Sequence, residues 1–239
     1  MAAIFAHRGC PGVPAPRENT LDAFLAARDA GADGVELDVR VTADGALAVH
    51  HDRHVPDGAN VTNISFRELP AYVPLLTQAL AACRGMRVNV EIKGGPSDAE
   101  AVALLLAAGA GDGDGSPEVL VSSFLPESLE VVRRLAPGVP AGLLVDWRTN
   151  AADALALAQR LGCATLHPFV TQVDAALVAG AREAGLGLHV WTVNADEDIA
   201  GLGALGVDAI ITDRVDAAVR ILGRDRIVPP RWNGGGRTG

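Results

Sequence analysis

The chain has 239 residues, 20 basic against 29 acidic side chains and a net charge of −9 at neutral pH. With 49% hydrophobic and 21% charged residues it is not an intrinsically disordered chain, and its acidic balance excludes a protein that tracks a nucleic-acid backbone, which needs a basic face to displace counterions. Cys10, Cys83 and Cys163 lie far apart with no CxxC spacing, so they make neither a disulfide framework nor a zinc site and suit a reducing compartment. Met1–Ala6 runs directly into the polar pair His7–Arg8, leaving no room for a signal peptide. The longest apolar run, Ala101–Ala110, is interrupted by Gly109 and is too short to cross a bilayer. The expectation is a cytoplasmic monomer or homodimer with no nucleic-acid partner and no stable membrane association.

In chain order, short apolar or β-branched runs alternate with helix-length stretches. The predicted strands are Ile4–His7, Val35–Val41, Leu47–His51, Val88–Lys93, Val119–Phe124, Ala141–Val145, Ala164–His167, Leu188–Val193 and Ala209–Thr212. The predicted helices end at glycines, which take the left-handed conformation that closes a helix: Asn19–Ala30 at Gly31, Thr77–Arg84 at Gly85, Ala99–Ala108 at Gly109, Ala152–Leu161 at Gly162 and Asp174–Ala184 at Gly185. Leu21, Phe24 and Leu25 form the apolar stripe of the first, and Pro126 starts a further helix over Glu127–Leu135. Strand–helix repetition means parallel strands with right-handed crossovers. The repeat count favours a closed (β/α)8 TIM barrel, one domain over 1–223 followed by a flexible tail over 224–239, in which Trp232 is the residue able to dock. No GxGxxG or GxxxxGK[ST] loop follows a strand, which weakens a nucleotide-binding alternative.

Nine runs compete for eight barrel positions. The second and third are separated by Thr42-Ala43-Asp44-Gly45-Ala46, too short for a parallel crossover, and Asp44-Gly45 predicts a two-residue hairpin turn. In that register residue numbers summing to 89 face one another, so Asp38 pairs with His51, whose Cβ atoms would lie within ~5.5 Å.

The chemistry-bearing residues gather at predicted strand ends, where a barrel's C-terminal mouth converges. Alternation places Glu36, Asp38 and Arg40 on one strand face and Val35, Leu37 and Val39 on the other. The apolar set suits the helix layer, so the acids point inward. Asn89, Glu91 and Lys93 repeat the pattern. Inward carboxylates require a compensating cation or proton. Glu36, Asp38 and Glu91, with no thiolates, describe a site for Mg²⁺ or Ca²⁺; the rival is a salt-bridge network with Arg8 and Lys93. His7 and His51 would supply acid–base chemistry near neutral pH, and Arg8 and Lys93 the positive charge a phosphate needs. His50 is expected to face the helix layer, His54 to be solvated in a loop, and His189 is ambiguous.

These residues fall into an ordered series: HRG at His7–Gly9, ENT at Glu18–Thr20, GADGVELDVRVTADGALAVHHD from Gly31 to Asp52, NVEIK at Asn89–Lys93, VLVSSF at Val119–Phe124, VWTVN at Val190–Asn194 and DAIITD at Asp208–Asp213. The series, spanning residues 4 to 222, resembles the glycerophosphodiester phosphodiesterase family. The resemblance implies acid–base roles for His7 and His51, phosphate contacts from Arg8 and Lys93, and metal ligation by Glu36, Asp38 and Glu91. It further implies that Glu18 braces the site, Asn19 caps the following helix, Trp191 shapes the substrate pocket and Phe124 lines it. The implied reaction is metal-dependent hydrolysis of a glycerophosphodiester to sn-glycerol 3-phosphate and an alcohol, by water or by the substrate's own 2-hydroxyl. The segment after His51-Asp52 and the stretch before Val73 depart from the family's pattern and are short, so only a small insertion is expected there. Alternatives on the same fold are a lysophospholipase D or sphingomyelinase D-like enzyme, disfavoured by 4% aromatic content and the lack of a basic amphipathic helix, and a catalytically silent phosphodiester-binding barrel.

Overall fold

A computed structural model describes residues 1–10, 12, 16–109 and 115–223; the expected tail and Trp232 lie outside the described residues. In chain order the elements are β1 (Ala3–Ala6), α1 (Leu21–Asp29), β2 (Gly34–Val41), β3 (Leu47–Val49), α2 (Leu76–Ala82), β4 (Arg87–Ile92), α3 (Pro96–Ala107), β5 (Glu118–Ser123) and α4 (Pro126–Leu135). There follow β6 (Ala141–Val145), α5 (Ala151–Leu161), β7 (Thr165–Pro168), α6 (Ala175–Glu183), β8 (Gly187–Val190), α7 (Asp196–Leu205), β9 (Ala209–Thr212) and α8 (Val215–Ile221). All the strands but β3 are parallel, and β1 pairs with both β2 and β9, which closes the sheet into the expected (β/α)8 barrel. The surplus run is β3, antiparallel on β2.

Alternation builds the core. Val35, Leu37 and Val39 of β2 and Val88, Val90 and Ile92 of β4 face outward and pack with Phe24, Leu76 and Leu80 between sheet and helices. The buried face of α1 is Ala23, Phe24 and Ala27. This corrects the expected stripe: Leu25 is 37% exposed, because two alanines on the buried side let the helix sit close to the sheet and turn position 25 outward. Pro96 occupies the first turn of α3 and starts it three residues before the expected Ala99. Helices α7 and α8 were not among the predicted elements; their burial rests on a few residues each, such as Ile199 and Leu202, and Val215, Ala217 and Ala218. Two loop–strand junctions repeat one device: Asp33 accepts the Ile4 N–H at 2.7 Å and Asp208 accepts the Leu188 N–H at 2.8 Å, each pinning a neighbouring strand at the barrel's lower rim.

The β2–β3 register differs from expectation by one residue. Val39 faces Val49 and Arg40 faces Ala48, so the numbers sum to 88 and Asp38 stands opposite His50, whose N–H donates to the Asp38 carbonyl. The turn has three residues rather than two: Thr42 and Ala46 close it, the Gly45 N–H donates to the Thr42 carbonyl, and Gly45 takes φ +80°. A type I turn followed by a left-handed glycine adds the extra residue. Beyond β3, residues 50–75 form the small insertion, folded over a satellite core of Ala48, Val55, Val61, Leu69 and Val73.

Candidate active site

The polar residues assemble at the C-terminal mouth of the barrel. β1 ends at Ala6, and the chain then turns through His7-Arg8-Gly9 with Arg8 at φ 51° and Gly9 at φ +76°. Gly9 is required twice: its backbone is left-handed, and a Cβ there would lie 2.6 Å from the Phe24 ring. This turn aims the Arg8 N–H at Glu36 Oε2, 2.9 Å away, and swings the Arg8 guanidinium onto Glu18 (3.0 Å) and toward Asp38 (Nε to Oδ2, 3.5 Å).

Glu36, Asp38 and Glu91 point inward as expected, at 4%, 1% and 9% exposure, and one oxygen of each lies within 4.8 Å of the others. Lys93 donates to Glu91 Oε1 at 2.6 Å and approaches Asp38 Oδ1 at 3.3 Å. The salt-bridge network and the carboxylate nest therefore coexist, but both cationic side chains serve Asp38 or Glu91. Glu36 Oε1 is buried without a hydrogen-bond partner. Burial, then the charges of Asp38 and Glu91, push the Glu36 carboxyl up to about 8. Glu91 is also raised, by burial and by Asp38. For Asp38 burial acts upward, but Lys93, His51, Arg8 and the Asn19 amide outweigh it and hold the group below the ordinary carboxylate value. An all-oxygen donor set in which neither cationic side chain is paired with Glu36 fits a hard divalent cation.

Two imidazoles flank the nest, each with a carboxylate on Nδ1. His7 meets Asp213 at 2.7 Å and His51 meets Asp52 at 2.8 Å. Asp213 is itself clamped by Asn194, whose amide donates to its Oδ2 at 2.6 Å and accepts its N–H at 2.9 Å. Burial opposes a charge on His7, but the Asp213 hydrogen bond and the Glu36 charge prevail and raise it. His51 is lowered by burial first, with Lys93 and Arg8 adding to it. Opposite displacement is the pattern expected of an acid–base pair. On the far side of the mouth, Trp191 stacks edge-on with Phe124 and with Phe169, centroids 5.4 Å apart in both pairs. Its indole N–H donates to the His167 carbonyl at 2.9 Å, which fixes the ring.

The sequence profile of the glycerophosphoryl diester phosphodiesterase family matches residues 7–217. The chain belongs to that family. It is 32% identical to the glycerophosphodiester phosphodiesterase of Caldanaerobacter subterraneus subsp. tengcongensis, with 92% of this chain and 97% of the relative aligned. It is 30% identical to that of Bacillus altitudinis, over 92% of this chain and 98% of the relative. Among solved structures it is similar in fold to a phosphodiesterase of Oleispira antarctica in complex with the product sn-glycerol-3-phosphate (TM-score 0.83, 24% identity, 94% of this chain and 98% of that one). It also resembles the glycerophosphodiester phosphodiesterase of Thermotoga maritima (TM-score 0.77, 25% identity, 92% and 98%).

Within this family member the structure brings together His7, Arg8, Glu18, Asn19, Glu36, Asp38, His51, Glu91 and Lys93, with Phe124 and Trp191 across the mouth. Two expectations are corrected. Asn19 does not cap α1; Thr20 does, its Oγ1 accepting the Ala23 N–H at 3.3 Å. Asn19, left-handed at φ 55° and 4% exposed, instead grips Asp38, donating from Nδ2 to Oδ2 at 2.8 Å and accepting the Asp38 N–H at 3.2 Å. His50 does not face the helix layer; it lines a cleft at the rim with Glu18, Asn19 and Asp52. His54 is exposed as expected. His189 proves to be a core residue, 2% exposed, with its ring 4.7 Å from that of His167 inside the barrel. Sequence reasoning missed Asp213, Asn194, Phe169 and the part played by Arg40, whose Nε donates to the His51 carbonyl at 2.9 Å. Among the described residues no helix is long and apolar enough to cross a membrane.

Proposed function

We propose that the chain hydrolyses glycerophosphodiesters to sn-glycerol 3-phosphate and an alcohol, using His7 and His51 for proton transfer and a divalent cation, Mg²⁺ or Ca²⁺, held by Glu36, Asp38 and Glu91. The observation that carries the reading is the pairing of two carboxylate-braced imidazoles with a buried three-carboxylate nest that its own lysine and arginine do not neutralise. When bound, the cation supplies positive charge against the phosphate's non-bridging oxygens. Asp213 and Asp52 each accept from an Nδ1–H, which fixes the imidazole tautomer and leaves Nε2 for the reacting oxygens. One Nε2 takes the proton of the attacking hydroxyl and the other protonates the departing alkoxide, so that the phosphorus–oxygen bond to the alcohol breaks without releasing a free alkoxide. Arg8 and Lys93, at the edge of the nest, orient the phosphate. Trp191 and Phe124 wall the substrate pocket on the other side; water attacks directly, or the glycerol 2-hydroxyl attacks first to give a cyclic phosphate, whose bond to O2 water then breaks to leave sn-glycerol 3-phosphate.

The substrate is a dissolved small molecule, and the three free cysteines accord with a cytoplasmic setting. The test is glycerol 3-phosphate release from several glycerophosphodiesters, with chelator and after returning Mg²⁺ or Ca²⁺. Release that disappears with chelator and returns with the ion is expected. No release from any diester, or release indifferent to chelator, overturns the reading.

A further inference from the structure

A cleft of about 340 Å³ opens at the rim beside the site. Its inner wall includes Glu18, Asn19 and Asp52, the residues that hold Arg8, Asp38 and His51. Its lining also includes Arg17 and Tyr72, with the Arg17 guanidinium stacked 4.1 Å over the Tyr72 ring. The aromatic wall of Phe124, Phe169 and Trp191 belongs to the ends of β5, β7 and β8, across the mouth from this cleft. A phosphodiester on the carboxylate nest thus has two unlike places for its two substituents. Glycerol, uncharged and presenting C–H groups, suits the rings.

Two features of the cleft limit which other substituent it suits. One face of Tyr72 already carries a cation and the ring packs against the satellite core, so it is a poor cage for a trimethylammonium group. Both signs of charge are present: Glu18 is engaged by Arg8, and Asp52 by an imidazole whose proton affinity is lowered, so Asp52 keeps its negative charge. Arg17, among the described residues, is in no ion pair and is held in place by its stack. A guanidinium and a carboxylate lining one cleft complement an alcohol that carries a carboxylate next to an ammonium. We propose that this cleft is the leaving-alcohol subsite and that Arg17, seated on Tyr72, makes it select seryl-type alcohols over ethanolamine and choline. The inference rests on the hydrolytic reading above.

The experiment compares kcat/KM for glycerophosphoserine, glycerophosphoethanolamine and glycerophosphocholine in wild type and in Arg17→Gln, Tyr72→Leu and Tyr72→Phe. A charge-assisted hydrogen bond to the carboxylate predicts a seryl-over-ethanolamine ratio of ~10 or more in wild type. Arg17→Gln should bring that ratio close to one, and Tyr72→Leu should lower it by removing the platform, whereas Tyr72→Phe keeps the ring and the ratio. Equal kcat/KM for the three esters, or a seryl preference that survives Arg17→Gln, overturns the subsite while leaving hydrolysis standing. Failure to cleave any of them overturns the hydrolytic reading, and the subsite falls with it.

Discussion

Glu36 makes the metal site testable without any turnover. Its carboxyl sits beside Asp38 and Glu91, burial adds to their repulsion, and it holds its proton up to about 8. A divalent cation must displace that proton to use the oxygen. Below about pH 8 the apparent affinity for Mg²⁺ or Ca²⁺ should therefore rise about tenfold per pH unit, ~1.4 kcal/mol, giving ~100-fold between about pH 6 and about pH 8, and then level off. Isothermal titration in two buffers of different ionisation heat at one pH measures the protons released, expected near one per ion below the break. Glu36→Gln should weaken binding and flatten its pH dependence together. The stability of the metal-free fold has a matching sign: the folded value lies above the ordinary 4.5, so this group's contribution is intact below 4.5 and is lost as pH rises toward about 8. An affinity that is flat from about pH 6 to about pH 8, with no proton released, refutes both the ligand assignment and the electrostatic reasoning behind it.

Further outcomes follow from the same geometry. His7→Ala and His51→Ala should each lower kcat by ~10²–10⁴-fold while leaving calorimetric ion binding in place; wild-type rates in both would remove them from the mechanism. Asp213→Asn takes away the group that most raises His7, so turnover should fall and the His7 limb of the pH–rate profile should move to lower pH. An unmoved limb would show that the 2.7 Å contact does not tune the imidazole. His167 is pushed down to about 3 by burial, and His189 is lowered by burial and by His167. Both folded values lie below the ordinary 6.5, so their contribution to stability is present above 6.5 and is lost as pH falls, by at most ~1.4 kcal/mol per unit for each. The wild-type Tm should accordingly drop more steeply below pH 6.5 than that of His167→Gln, and equal slopes would count against the assignment.

The inward carboxylates were legible because strand alternation is strict: once Val35, Leu37 and Val39 are given to the helix layer, Glu36 and Asp38 have one direction left. The partner of His7 was not legible in this way, since 206 residues separate it from Asp213. Barrel closure brings them together. Ala6 is in register with Thr212, so the residue after each strand end, His7 and Asp213, emerges side by side. That pairing follows from the closed barrel alone, once the last residues of its first and last strands are set side by side. Asn19 was obscure for a different reason. Asn and Thr are both good helix caps, and their adjacency in Glu18-Asn19-Thr20 gives local preference no means of choosing. The choice is made by Asp38, a buried carboxylate that needs donors, and it draws Asn19 into a left-handed conformation to supply one.

The hairpin shows where alternation stops applying. A shift of one residue within a ladder moves a side chain to the opposite face, and on that rule the observed register should have carried His51 away from Asp38. It does not, because the ladder ends first: β3 stops at Val49, and His51 lies two residues beyond it. Its position is set instead by Arg40 holding its carbonyl and Asp52 holding its ring. Asp38 still acts on the imidazole electrostatically. The history of the two histidines is therefore the same. Each follows the last paired residue of a strand by one or two positions and is aimed by side-chain contacts rather than by the pleat. A reading based on periodicity can find such residues at a strand end, but their direction comes from the groups that surround the mouth.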